Sequence, residues 1–260
     1  MRYDKYSGAG NDFVLLDNRD GKLSDYPVLA RRLCDRENGI GADGLIVLEP
    51  PRQGGDVKMC FYNNDGSAAE MCGNGARCLC RHCYDFGISD SVQKIETPAG
   101  MVYGERISDE LYRIRLNRPS EVKLQMQTRQ TVCDYVVLGE NGSPHAVVCV
   151  DLSENRAILR DFARSLRHAP EFPKGANVNL CAILSENEIN LLTYERGVED
   201  FTLACGTGTG ATVFALAQRG LVRGEHTKVN VDGGTLYVDI ADGDIFLTGP
   251  AERTNTGEFI

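Results

Sequence analysis

Basic charge is scarce in this 260-residue chain, where 28 Lys and Arg stand against 37 Asp and Glu for a formal net charge of −9. Phosphate backbones and anionic membrane faces are held by clustered Lys and Arg. The balance therefore argues against nucleic acid and against a membrane surface as partners. Long apolar runs are lacking too, and none approaches the ~18 residues of a membrane-spanning helix. The opening MRYDKYSGAGNDF has no apolar stretch of the kind a secretory leader carries, so a cytoplasmic protein is expected. Proline is sparse, with 9 residues against 28 glycines, so turns punctuate the chain without making it low-complexity.

What the chain does have is apolar mass and sulfur. Hydrophobic residues make up 42%, enough for real cores. The length suits one large domain or two small ones. Ten cysteines in a chain neither short nor visibly secreted point to catalysis or metal rather than to disulfides.

The sequence repeats itself once. MCGNGARC surrounds Cys72 and ACGTGTGA surrounds Cys205, an offset of 205 − 72 = 133. Asn11 and His145 stand 134 apart, Gly100 and Gly234 again 134, and Pro119 and Pro250 stand 131 apart. Four short matches in one order define two homologous halves. We place the N-terminal half at 1–120, with the Cys72 motif, and the C-terminal half at 121–260, with the Cys205 motif. The extreme C-terminus has room to pack back on the first half. The polar stretch RPSEVKLQMQTRQT, residues 118–131, reads as the boundary between them.

β-branched and alternating residues read as strands in DFVLLDN, GLIVLEP, VKMCFYN, YRIRLNR, TVCDYVVLG, HAVVCVDL, INLLTYERG, TKVNVD and LYVDIADGDIFLTG. Helices are expected at 27–37, about 74–86, 154–168 and about 207–220. Strands outnumber helices and most connections are short. The fold class is therefore α+β: two homologous domains related by a pseudo-two-fold, each an antiparallel or mixed sheet wrapped around a central helix, with the active site in the cleft between them.

Each repeat puts a cysteine followed by Gly-x-Gly where a helix begins. Glycine lets the backbone approach a ligand, and the free N–H groups of a helix start attract an anion. The same partial charge is expected to lower a neighbouring thiol's pKa and supply thiolate near neutral pH. Two such thiols on opposite sides of one carbon suit stereoinversion. One removes the α-proton as thiolate and the other returns a proton as thiol, while converging N–H groups hold the charge that builds on the carboxylate. The scheme needs no cofactor. Facing each other in an empty cleft, the two could also close to a disulfide.

Plainer readings compete. GTGTG lacks the βαβ context and the acidic residue about 20 positions on that a dinucleotide loop requires. Cys72, Cys78, Cys80 and Cys83 invite a metal or thiol-redox reading, yet structural zinc prefers C-x2-4-C knuckles and one helix would splay these thiols. No metal is expected. The eight cysteines other than Cys72 and Cys205 read as filler, His145 alone as a structural histidine, and Asp12 and Asp65 as turn residues.

These segments resemble the diaminopimelate epimerase family. KYSGAGNDFVLLDN, DRENGIGADG, FYNNDGSAAEMCGNGARC, GSPHAVV, GANVNL and YERGVEDFTLACGTGTGA carry the resemblance nearly end to end. It implies a pyridoxal-independent epimerase that takes LL-diaminopimelate to the meso form, for lysine and cell-wall synthesis, as a cytoplasmic homodimer. Its only other partner would be the small amino-acid substrate. Residue by residue, it implies Cys72 and Cys205 as the two-base pair, with His145 and Glu195 tuning or orienting them. Asn11, Asn63, Asn177 and Arg196 would be polar substrate contacts, and Gly73, Asn74, Gly206 and Thr207 the carboxylate cradles. An Arg suits a distal carboxylate because its fork donates twice. Two positions depart from the family. Ser143 stands where GNPH has Asn, and Phe201 stands where an acidic residue usually precedes the Thr. They motivate an alternative, a racemase of the same fold acting on another free amino acid such as histidine, glutamate or lysine.

Overall fold

The computed structural model describes residues 1–140 and 142–259. The chain forms two compact units, one from Met1–Arg115 with the segment from Thr248 on, the other from Leu116–Leu247. Among the described residues, four helices and eighteen strands give the α+β class expected.

The first unit runs β1 (Arg2–Gly8), β2 (Asn11–Asp17), α1 (Tyr26–Cys34), β3 (Gly44–Glu49), β4 (Val57–Asn63), β5 (Ala68–Ala69), α2 (Gly73–Asp85), β6 (Val92–Thr97), β7 (Gly100–Arg106) and β8 (Leu111–Leu116). The chain then enters β9 (Pro119–Gln127), β10 (Val132–Leu138), β11 (Pro144–Cys149), α3 (Arg156–Arg167), β12 (Asn177–Ser185), β13 (Glu188–Glu195), β14 (Asp200–Thr202), α4 (Gly206–Gln218), β15 (Thr227–Val231), β16 (Gly234–Ala241) and β17 (Asp244–Pro250), and ends in β18 (Glu252–Glu258).

The two units repeat one pairing scheme. β1 is antiparallel to β2, β2 parallel to β3, β3 antiparallel to β4, and β4 parallel to β6. In the other unit β10 is antiparallel to β11, β11 parallel to β12, β12 antiparallel to β13, and β13 parallel to β15. The repeat landmarks fall on this scheme. Asn11 opens β2 and His145 is the second residue of β11. Gly100 and Gly234 each open the second strand of a tight hairpin, at φ 107° and 131°, backbone that only glycine adopts readily.

α2 and α4 are the central helices. α2 buries Asn74 through Cys80 with His82 and Cys83, so polar and apolar faces alike are covered. α4 is built of small residues, and the buried hydroxyls of Thr209 and Thr212 turn back to the carbonyls of Cys205 and Gly208 at 2.8 and 2.7 Å. The outer helices bury one stripe only: Ala30, Leu33 and Cys34 on α1, and Leu159, Ala163 and Leu166 on α3.

Three local expectations are corrected. The polar stretch read as a boundary is in fact strand β9, paired antiparallel with β10, so residues 116–120 lie in the second unit. The single run LYVDIADGDIFLTG is two strands, broken by Asp242 (φ 52°) and Gly243 (φ 80°) in a hairpin turn. Helix α1 stops at Cys34 rather than at residue 37, because Asp35 Oδ1 takes the backbone N–H of Glu37 and Asn38 at 2.8 and 2.7 Å. β18 pairs with β1 and so lies with the first unit. Among the described residues, no helix is long and apolar enough to cross a membrane.

Candidate active site

In the first unit, Cys72 is the N-cap residue of α2, in extended conformation and half-buried. The Cys72 side chain makes no capping hydrogen bond to this first turn, which holds no acidic residue. The start of a helix carries partial positive charge, which suits an anion. Asn74, the second helical residue, donates its Nδ2 to Asn11 Oδ1 at 2.5 Å. Asn11 Nδ2 donates in turn to Asp43 Oδ2 at 3.1 Å. Asp43 is fixed by Arg36 at 2.7 Å and by its own N–H to Asp12 Oδ1 at 3.0 Å. Asp12 therefore braces the loop that orients Asn11 and is more than a turn residue. Asn63 ends β4 in register with Gly44 and ties to Ser67 Oγ at 2.9 Å, while Asp65 holds the same turn through Ser67.

Arg77 lies beneath this helix start with no exposure. Its Nη2 donates to Asn74 Oδ1 at 2.9 Å and its Nε to Pro250 O at 3.4 Å, while Nη1 has no hydrogen-bond partner among the described residues. Burial pushes its guanidinium pKa down, and the neighbouring sulfurs of Cys78, Cys72 and Cys80 oppose that.

In the second unit, Cys205 is the N-cap of α4, again in extended conformation. His145 on β11 is wholly buried. Its Nε2 lies 3.1 Å from Thr207 Oγ1, and that hydroxyl lies 3.6 Å from Cys205 Sγ. Its Nδ1 lies 3.2 Å from Asn179 Nδ2, which also donates to the Ala146 carbonyl at 3.3 Å. Asn179 Oδ1 accepts from Thr193 Oγ1 at 3.0 Å. Asn177, two residues earlier on β12 and in register with His145, accepts the Arg196 N–H at 2.7 Å. Gly208 is where α4 meets this network. A Cβ there would run into Asn179 Oδ1 and come within 3.3 Å of Cys205 Sγ and Thr193 Oγ1.

Electrostatics corrects one expectation. The helix start was expected to lower the thiol pKa, but Cys205 is pushed well up, first by burial and then by the charge of Glu195. Hydrogen bonds to its sulfur from the Gly208 N–H and Thr207 favour the thiolate but are outweighed. Desolvation of a fully buried anion exceeds a helix-end effect of about 1 kcal/mol. Glu195 is itself pushed up by burial, opposed by hydrogen bonds with Thr202, at 2.6 Å, and with Cys205. Cys205 thus stands as a thiol with the Glu195 carboxyl group beside it. His145 is pushed down to about 3 by burial and by Arg196, so its ring is neutral at physiological pH.

The two departures are both accounted for locally. Ser143 Oγ accepts from Arg196 Nη2 at 3.3 Å, and Arg196 Nη1 donates to Lys174 O at 3.1 Å. Phe201 packs edge-on to Tyr194 at 5.9 Å beneath the Arg156 guanidinium at 5.2 Å, against the core of its unit.

The structure therefore gathers His145, Asn177, Glu195, Arg196, Cys205, Gly206 and Thr207 in one unit, and Cys72, Gly73, Asn74 and Asn11 in the other, with Asn63 near Asn11 by strand register only. Asp43 and Asn179 are additions. Asn179 is legible in principle, since positions two apart on a strand share a face and Asn177 is among the residues the resemblance implies. Cys78, Cys80 and Cys83 are buried thiols pushed up by burial. Among the described residues, no group of three or more His, Cys, Asp or Glu is placed to hold a metal.

Solved structures share the fold. A hydroxyproline epimerase from Agrobacterium vitis matches with a TM-score of 0.70 at 16% identity, covering 99% of this chain and 90% of that one. A methylitaconate-delta-isomerase matches with a TM-score of 0.65 at 14% identity, covering 99% and 95%. At that identity they establish architecture alone. Sequence relatives go further, and the chain is an isomerase of the epimerase kind. The diaminopimelate epimerase profile matches residues 3–114 and 137–254. A diaminopimelate epimerase from Aquifex aeolicus is 37% identical over 99% of this chain and 97% of its own. One from Flavobacterium psychrophilum is 38% identical over 97% of each. The chain belongs to the diaminopimelate epimerase family.

Proposed function

We propose that this protein converts LL-2,6-diaminopimelate to the meso form, with Cys72 and Cys205 as the acid–base pair. The observation that carries the reading is the paired design: each unit ends an extended segment in a cysteine that stands at the N-cap of its central helix. One cysteine, as thiolate, takes the α-proton. The C–H pair is left on the α-carbon and spreads into the α-carboxylate, and the other cysteine, as thiol, protonates the opposite face. Every proton removed is returned, so the scheme needs no cofactor.

In this reading the first-turn N–H groups at Gly73, Asn74, Gly206 and Thr207 hold the α-carboxylate. Asn11, Asn63 and Asn177 hold the polar groups of the reacting end, and Arg196 holds the distal carboxylate. Glu195 accepts the Cys205 proton when that sulfur serves as base. His145 and Thr207 supply the hydrogen bond that steadies the sulfur. A cytoplasmic homodimer completes the proposal.

The test is incubation of reduced protein with LL-diaminopimelate in heavy water. Meso product deuterated at the α-carbon is expected, and it should vanish in Cys72→Ala and in Cys205→Ala. Full activity of Cys205→Ala would overturn the mechanism. Exchange on histidine, glutamate or lysine in place of diaminopimelate would transfer the mechanism to the alternative substrate, with Ser143 and Phe201 as the positions to revert.

A further inference from the structure

Cys149 and Cys181 have no part in the chemistry above, yet they are placed as a pair. They end the parallel ladder of β11 and β12 in direct register, the last of five matched pairs that begins with His145 and Asn177. Paired residues on neighbouring strands point to the same face. Their sulfurs lie 3.6 Å apart, in contact. Neighbouring strands run about 4.8 Å apart, inside the roughly 4.4–6.8 Å that a disulfide spans between Cα atoms. The surroundings are asymmetric. Cys149 is exposed and Cys181 is buried. The Cys181 thiol has two acceptors, the Val148 carbonyl at 3.6 Å and the Cys149 sulfur.

We propose that Cys149 and Cys181 form a peroxide-reactive dithiol that closes to a cystine across β11 and β12. Cys149 is the attacking sulfur because solvent reaches it. It is also held below the ordinary thiol range by the hydrogen bond from Cys181 and by the nearby Arg219. The Cys149 thiolate attacks one peroxide oxygen, the O–O bond breaks, and hydroxide leaves a sulfenic acid on Cys149. Cys181 gives up its proton and attacks that sulfur, the S–O bond breaks and water leaves. Two thiols and one hydrogen peroxide thus give one disulfide and two waters. The short reach of Cys181 makes the second step intramolecular and spares Cys149 further oxidation.

The test uses the full chain carrying Cys72→Ala and Cys205→Ala, which removes the competing pair. After hydrogen peroxide and trypsin, residues 130–156 should be recovered joined to residues 175–196, two hydrogens lighter than the separate peptides. A dithiol reductant should part them. The link should be lost in Cys149→Ser and kept in Cys133→Ser, which separates it from the other cysteine of that peptide. Cys149→Ser changes an exposed residue outside the proposed site and is expected to leave epimerisation unchanged in the otherwise intact enzyme. Independently, phenylarsine oxide, which needs two adjacent thiols, should bind at one equivalent that Cys149→Ser abolishes. Sulfinic acid on Cys149 with Cys181 still reduced, or a link that survives in Cys149→Ser, overturns the proposal.

Discussion

Asn179 determines which nitrogen of His145 carries the proton. The Ala146 carbonyl can only accept, so the Asn179 atom facing it is the amino nitrogen, and that nitrogen also faces His145 Nδ1. Thr193 holds the amide's other end. Nδ1 is therefore an acceptor, and the neutral ring carries its hydrogen on Nε2. Nε2–H donates to Thr207, whose own hydroxyl hydrogen is left to point at Cys205 Sγ. Three side chains thus aim one donor at the sulfur of a proposed catalytic thiol.

Asn179→Asp should reverse that direction. A carboxylate beside Nδ1 demands a proton there, so Nε2 becomes an acceptor and draws the Thr207 hydroxyl away from Cys205. The expected loss is on the order of 10²-fold in kcat, with KM little changed. The nitrogen chemical shifts of His145 should move from the Nε2–H to the Nδ1–H pattern. Unchanged shifts with normal kcat would remove Asn179 from this role.

Glu195→Gln should make the Cys205 thiol easier to ionise while slowing turnover. Part of what holds that thiol up is the Glu195 charge, and the amide removes it while taking away the proton acceptor. In Cys72→Ala protein, the pH midpoint for alkylation of Cys205 by iodoacetamide, followed by peptide mass, is expected to fall. A midpoint that stays or rises refutes this account of the charge.

Acid should destabilise the fold through two histidines. His82, which pairs with the Tyr6 hydroxyl at 3.2 Å, is pushed down to about 4, chiefly by burial, and His145 to about 3. Unfolded, each titrates near pH 6.5. Below that the unfolded chain binds more protons, so their contribution is whole above pH 6.5 and falls as pH drops toward 4. The loss is about 2 kcal/mol per histidine by pH 5. Urea midpoints at pH 7.5 and pH 5 measure it, and His82→Gln should lessen the drop. A drop as steep in that variant excludes His82 as a source.

Gly208→Ala should cost about 1–3 kcal/mol by overpacking, because the new methyl meets Asn179, Cys205 and Thr193 at once. Thermal unfolding reads the stability. Epimerase activity should fall in protein that is still folded, since the displaced groups are those that orient Cys205. A fully active, equally stable variant contradicts the close approach.

How far the sequence reveals these arrangements depends on what each segment buries. The central helices were legible because Cys-Gly-x-Gly punctuation stands directly before them, and strands such as β3 because Leu45 to Leu48 are all core. β9 was not, because most of its residues are exposed and no face alternates. β18, ERTNTGE, is polar for a similar reason: its place comes from the backbone ladder with β1 rather than from apolar side chains. β12 hides its start in Asn177 and Asn179, whose buried amides serve hydrogen bonds instead of packing. Motif resemblance found the residues next to the reacting groups, whereas Asp43 and Asn179 act one contact further out, where no fingerprint marks them.

The pairing of β18 with β1 also sets an order of assembly. The second unit is one uninterrupted stretch of chain and can close as soon as it clears the ribosome. The first unit, begun before it, lacks a strand until β18 is made. Until then β1 waits with an open edge that β18 later covers. A nascent chain released early, or one trimmed before Glu252, would expose that edge to other chains.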